Sequence, residues 1–213
     1  MDGTIIKTDS IWSQVNRDWL HEASVRALTK QDLAFLESLS GMSTFVGSKV
    51  TKKHFGLPHD PDDIAKRQME IANSYFRKGV EFIEGFEEFH QKLREHNIPS
   101  GIGTNATPEN LEPLTESMRY ERFFGKHVYG IASVGYIPKP DPTLFLFVAN
   151  QLGVKPEECI VFEDSIYGFQ AAKAAGMKCI AVKGPNNHHL LDHAHAAIDT
   201  YHEAVDALKK VLL

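Results

Sequence analysis

Cys159-Ile160-Val161-Phe162-Glu163-Asp164-Ser165-Ile166-Tyr167-Gly168 is the stretch on which the fold turns. Its first four residues form an unbroken apolar run, as in a strand buried on both sides. Two adjacent carboxylates, Glu163 and Asp164, end that run, and Ser165 then has the chemistry of a helix N-cap. The helix is rich in small residues (Ala171, Ala172, Ala174, Ala175) and stops at Gly176. Neighbouring acids repel each other, so a partner cation is expected, and Mg²⁺ with its hard oxygen ligands fits. A helix cap alone accounts for one acid, not two.

Outward from this stretch the pattern repeats. Lys178 to Val182 reads as a second buried strand, and Glu203 to Leu213 as a closing helix. Upstream, Ser100 to Thr104 and His127 to Ile131 are strand candidates. Thr107-Pro108 and Asp141-Pro142 carry helix-start signals, and Leu144, Phe147, Val148 and Leu152 share a face of the second helix before Gly153. Phe86 to Glu95 is helical, with Phe86, Phe89 and Leu93 on one side. Ile11 to Lys78 is helical throughout, broken at Gly41-Met42-Ser43 and Gly56-Leu57-Pro58. The fold class is therefore α/β: a Rossmann-like parallel sheet flanked by helices, with residues 1–10 and 80–213 as its core and 11–79 as an inserted α-helical cap.

The 213 residues suffice for such a core and insertion, and 42% hydrophobic with 24% charged is ordinary for a globular protein. A net charge of −5 and the lack of any Lys/Arg run argue against nucleic acid as a partner. No apolar stretch has the ~20 residues of a membrane span, and no signal peptide opens the chain. The two cysteines, Cys159 and Cys179, each sit in an apolar run and read as buried free thiols, which suits a cytoplasmic location.

Open parallel sheets bind ligands at the carboxyl ends of their strands. Thr104-Asn105 ends one strand with a hydroxyl and an amide suited to phosphate oxygens, although Thr-Asn is equally ordinary turn chemistry. Lys139 stands in the rigid turn Lys139-Pro140-Asp141-Pro142, where an ammonium can balance a carboxylate or a developing phosphoryl charge. Met1-Asp2-Gly3-Thr4-Ile5-Ile6 presents a carboxylate at a turn that Gly3 permits.

Asp-Gly-Thr, Thr-Asn-Ala, Lys-Pro-Asp-Pro and Glu-Asp-Ser-x-x-Gly, in this order, resemble the four motifs of the haloacid dehalogenase (HAD) superfamily. Thr104 lies 102 positions after Asp2, Lys139 35 after Thr104, and Asp164 25 after Lys139, intervals that suit it. Val161 to Gly168, followed by Ala171-Ala172 and Ala175-Gly176-Met177, is similar to the subfamily of β-phosphoglucomutase and small sugar-phosphate phosphatases. The resemblance implies a Mg²⁺-dependent phosphatase for a small phosphorylated metabolite, working through an aspartyl-phosphate. It implies Asp2 as general acid/base with its carbonyl near the metal, and Thr104, Asn105 and the cap-loop Ser43 as substrate-binding. It also implies Lys139 as the catalytic cation and Glu163 and Asp164 as metal ligands.

Two departures accompany the resemblance. The cap loop has Ser40 and Thr44 where β-phosphoglucomutases carry Lys and Arg, and Trp12 where they carry His, which favours a phosphatase over a phosphosugar mutase. The family nucleophile stands two residues before the second Asp, a position that falls just before Met1. Three readings follow: the natural protein carries an apolar strand and an Asp before Met1, the chain is an inactive binding homologue, or Asp2 is itself the nucleophile with Thr4 as acid/base. The first is expected, because a missing central strand of ~5–6 residues leaves buried backbone groups unpaired at ~1–3 kcal/mol each, against a total stability of ~5–15 kcal/mol. His188, His189, His193, His195 and His202 cluster near the end, and the four-residue spacing of His189 and His193 would suit a metal on a helix, but a solvated surface is expected.

Overall fold

The computed structural model describes residues 1–212. Four helices come first: α1 (Asp9–Glu22), α2 (Lys30–Glu37), α3 (Thr44–Phe55) and α4 (Pro61–Phe76). Their starts follow local chemistry. Thr29 and Asp32 close a capping box on α2, with Asp32 N on the Thr29 hydroxyl at 3.2 Å and Thr29 N on the Asp32 carboxylate at 2.8 Å. Ser43 caps α3, and Asp60 followed by Pro61 opens α4.

After α5 (Phe86–Glu95) the chain alternates: β1 (Ile102–Thr104), α6 (Pro108–Met118), α7 (Glu121–Phe124), β2 (Val128–Gly130), α8 (Thr143–Leu152), β3 (Ile160–Glu163), α9 (Ile166–Ala174), β4 (Lys178–Val182), β5 (Ala196–Ile198) and α10 (Ala204–Leu212). All strand pairs are parallel, as the alternation requires. They form two sheets, β1-β2 and β3-β4-β5, and among the described residues β1 pairs only with β2 and β3 only with β4. The main core joins Ile6, Val15, Phe76, Phe86, Phe89 and Ile180. A second cluster sets the alanine face of α9 against Cys179 and Ala181 of β4, the small side chains allowing close approach.

Several expectations shift. Ile160, Val161 and Phe162 are half-buried rather than buried on both sides, because one edge of β3 has no neighbouring strand. Cys179 is buried but Cys159, before β3, is half-exposed; both are free thiols. The helix expected from Asp141-Pro142 starts at Thr143, with the Asp141 carboxylate accepting Thr143 N at 2.9 Å. Thr107 stands at the start of α6, but its hydroxyl makes no capping bond. The last helix begins at Ala204, after a 3₁₀ turn at Tyr201–Glu203, and its expected end at Leu213 lies outside the described residues. His188–His193 is a 3₁₀ turn, in which residues four apart do not share a face. Among the described residues no helix is long and apolar enough to cross a membrane.

Candidate active site

Residues 1–6 fold into a tight loop. Ile5 N and Ile6 N both donate to the Met1 carbonyl, at 2.8 and 3.3 Å, and Gly3 N donates to the Thr8 hydroxyl at 3.1 Å. Gly3 has φ +63°, and a Cβ there would overlap the Asp164 carboxylate. Glycine is required twice over, for the backbone angle and for the close approach. Thr4 Oγ1 then donates to Asp164 Oδ1 at 2.7 Å, joining the first loop to the end of β3.

The two adjacent acids have opposite surroundings. Glu163 Oε1 receives Lys139 Nζ in a close, buried ion pair. Its Oε2 accepts Asp164 N at 2.8 Å, Ser165 N at 2.9 Å and Ser165 Oγ at 3.0 Å. Burial opposes the charge, but the Lys139 ammonium, the Met1 ammonium and the hydrogen bonds from Lys139 and the Ser165 amide together hold the Glu163 carboxyl at about 2. Asp164 lacks such a partner: burial first, and the Glu163 charge second, push it up to about 8. Burial likewise raises Asp2, whose Oδ1 is buried with no hydrogen-bond partner among the described residues.

Asp2, Thr104, Lys139, Glu163 and Asp164 all border one cavity of about 250 Å³ at the carboxyl ends of β1 and β3. Thr104 is buried, and its hydroxyl accepts Ala106 N at 3.2 Å. Asn105 also borders the cavity, but its amide is spent on the protein: Nδ2 donates to the Gly41 carbonyl at 3.2 Å and Oδ1 accepts Lys139 N at 2.8 Å. It ties the 39–43 loop to the lysine turn. Ser43 lines the cavity from the other side, with its oxygen accepting Val46 N at 3.4 Å. Every site residue expected from the sequence is thus in one place.

A hard divalent cation suits this donor set. Asp2 Oδ1 is an orphaned buried oxygen, and Asp164 is a buried carboxyl whose negative form needs a positive neighbour. No ready cage of three or more His, Cys, Asp or Glu occurs among the described residues. Mg²⁺ does not need one, since it commonly takes one or two carboxylates and completes its shell with water and phosphate. Both Glu163 oxygens accept hydrogen bonds from protein donors.

The far wall was not visible in the motifs. Asp9, Trp12, Ser13, Asn16 and Arg17 share one face of α1 and line the cavity. Arg17 stands eight residues beyond Asp9, ~12 Å along the axis. Buried Gln68 of α4 donates to Asn16 Oδ1 at 2.9 Å. The three- and four-residue spacing on α1 carries the signal, but Ile11, Val15 and Trp19 draw attention to the opposite, apolar face.

A parallel α/β sheet with acids, a lysine and a hydroxyl at its strand ends defines a class of phosphate-handling hydrolases. A family model for haloacid dehalogenase-like hydrolases matches residues 1–182, and the chain belongs to that family. It is 26% identical over 188 residues to the fructose-1-phosphate phosphatase YqaB of Escherichia coli, covering 86% of this chain and 93% of that protein. Its fold superposes on CbbY from Rhodobacter sphaeroides in complex with phosphate with a TM-score of 0.83, at 21% identity, over 100% of this chain and 96% of that one. A HAD family hydrolase from Deinococcus radiodurans, with bound phosphate and sodium, superposes with a TM-score of 0.75 at 27% identity, over 99% of this chain and 93% of that one.

Proposed function

We propose that this hydrolase is a Mg²⁺-dependent phosphatase cleaving a phosphate monoester of a small metabolite such as a sugar phosphate. The observation that carries this reading is the convergence of Asp2, Thr104, Lys139 and Asp164 on one cavity. The similarity to a named fructose-1-phosphate phosphatase supports it. Residues 1–10 and 80–213 serve as the catalytic core and 11–79 as a cap that excludes water and selects the substrate.

In this reading Thr104 binds the transferring phosphoryl group and Lys139 balances its charge. Asn105 holds the lysine turn and the cap loop together around it, and Ser43 contacts the substrate from the cap. Asp2, whose raised carboxyl favours carrying a proton, protonates the leaving oxygen and then takes a proton from water. Asp164 and the Asp2 carbonyl would hold Mg²⁺, with Glu163 reaching it directly or through water. When bound, the ion neutralises phosphoryl oxygens.

Among the described residues β1 and β3 each leave one strand edge unpaired, and their carboxyl ends flank the cavity that Met1 and Asp2 line. The test is phosphate release from a panel of phosphorylated metabolites, with and without Mg²⁺, using protein of measured intact mass. Metal-dependent release is expected. A folded protein that releases no phosphate from any member of the panel is instead an inactive binding domain.

A phosphosugar mutase is the second reading, and Arg17 favours it. Its place on the cavity-lining face of α1 puts a cation where a second phosphate would need one. Dependence on a bisphosphate activator, with phosphate retained on the product, would mark the mutase.

A further inference from the structure

The ladder between β3 and β4 ends at the pair Glu163–Ala181. One residue further, β3 must leave the sheet so that Asp164 can face the cavity. The carbonyls of Asp164 and Val182 would then lie beyond the last rung. The side chain of Asn187, buried to 7% exposure, stands in for that rung. Its Nδ2 donates to the Asp164 carbonyl at 2.8 Å and to the Val182 carbonyl at 2.9 Å. Its Oδ1 accepts Gly184 N at 2.8 Å, closing the loop that follows β4. Asp164 is thus held by its carboxylate through the Thr4 hydroxyl, by its N–H through Glu163 Oε2 and by its carbonyl through Asn187.

We infer that Asn187 is a positioning residue for Asp164, which sets the direction of that carboxylate and hence the affinity of the site for Mg²⁺. This rests on the assignment of Asp164 to the metal made above. A primary amide is the only side-chain group of this size that offers two donors and an acceptor at once. Partners of a metal ligand commonly change metal affinity 10–100-fold when removed.

The test is isothermal titration calorimetry of Mg²⁺ alone into the full chain, with Asn187→Ala, Asn187→Asp and, as a stability control at a buried position of α4, Ile64→Val. Both Asn187 variants are expected to weaken Mg²⁺ binding ~10–100-fold, while Ile64→Val stays within about twofold of the parent. Asn187→Asp keeps the side-chain volume and the acceptor for Gly184, so it serves if the alanine variant does not fold. Asn187 variants that bind Mg²⁺ within about twofold of the parent overturn the inference. If the parent itself binds no Mg²⁺, it is the metal assignment that fails. Amide hydrogen exchange at residues 164 and 165 then decides the role of Asn187: exchange in the Asn187 variants at least about tenfold faster than in Ile64→Val supports it, and equal rates overturn it.

Discussion

The phenol of Tyr201 donates a hydrogen bond to the carbonyl oxygen of Thr4 at 2.9 Å, across 197 positions of sequence. Thr4 in turn holds Asp164 through its hydroxyl, so the turn before α10 braces the candidate active site. The Tyr201 ring packs against Phe89 and Phe162, each with centroids at 5.5 Å. Tyr201→Phe keeps these contacts and removes only the donor. It should cost ~1–3 kcal/mol, the desolvation of one buried carbonyl left unpaired. The urea midpoint should fall with the m value unchanged; a midpoint equal to the parent's refutes the brace.

The Lys139–Glu163 pair is buried on both sides, at 6% and 4% side-chain exposure. Lys139→Met leaves a charged carboxylate in the interior and should destabilise the fold by ~3–5 kcal/mol. Adding Glu163→Gln should recover much of that loss in a double-mutant cycle. Neither variant should release phosphate at more than ~1% of the parent rate, since a charge-stabilising group is typically worth ~10²–10³. Additive stability losses would show that the two side chains do not act as a pair.

A Cβ on Gly168 would overlap the Glu163 carboxylate. Gly168→Ala should therefore displace Glu163 from Lys139 and from the Ser165 amide, at an overpacking cost of ~1–3 kcal/mol. Thermal unfolding and phosphate release should both fall. Retention of both at the parent level would mean that Glu163 has room to move.

His90 is buried at 2% exposure, with Nε2 3.0 Å from the Ser100 hydroxyl and its ring against Phe123 and Phe124. Burial, with the Arg94 charge adding, lowers it from the usual 6.5. The unfolded chain therefore takes up this proton before the folded one does. The contribution of His90 is constant above ~7 and is lost as pH falls through ~6.5 towards the lower folded value. Urea midpoints at neutral and mildly acidic pH should converge more for His90→Leu than for the parent. Parallel pH slopes in the two proteins would exclude His90 as the cause.

Much of the fold was legible because its signals are local. Phe86–Glu95 and Lys178–Val182 have the bounds their periodicity implies. β5 was not legible, since Ala196-Ala197-Ile198 has little strand preference and becomes a strand by pairing with β4. The cap face was half legible: Val15 and Trp19 mark the buried side of α1, but nothing local distinguishes a polar residue facing a cavity from one facing solvent.

The candidate site was legible as chemistry and not as geometry. Asp2, Thr104, Lys139, Glu163 and Asp164 stand at motif spacing and converge as expected. Asn105 lines the cavity as expected, yet its amide bridges Gly41 and Lys139. Glu163 meets Lys139 and the Ser165 turn. The sequence by itself determined the order of the strands and helices other than β5 and the residue types at the strand ends, because periodicity and turn chemistry act over a few residues. Only the tertiary structure decided which of those side chains are free for a ligand and which are bound to the protein. Bonds such as Thr4–Asp164, Asn105–Gly41 and Asn187–Asp164 join loops that meet only when the chain folds; burial there raises both acids, and the Lys139 partner that folding gives to Glu163 is what separates it from Asp164.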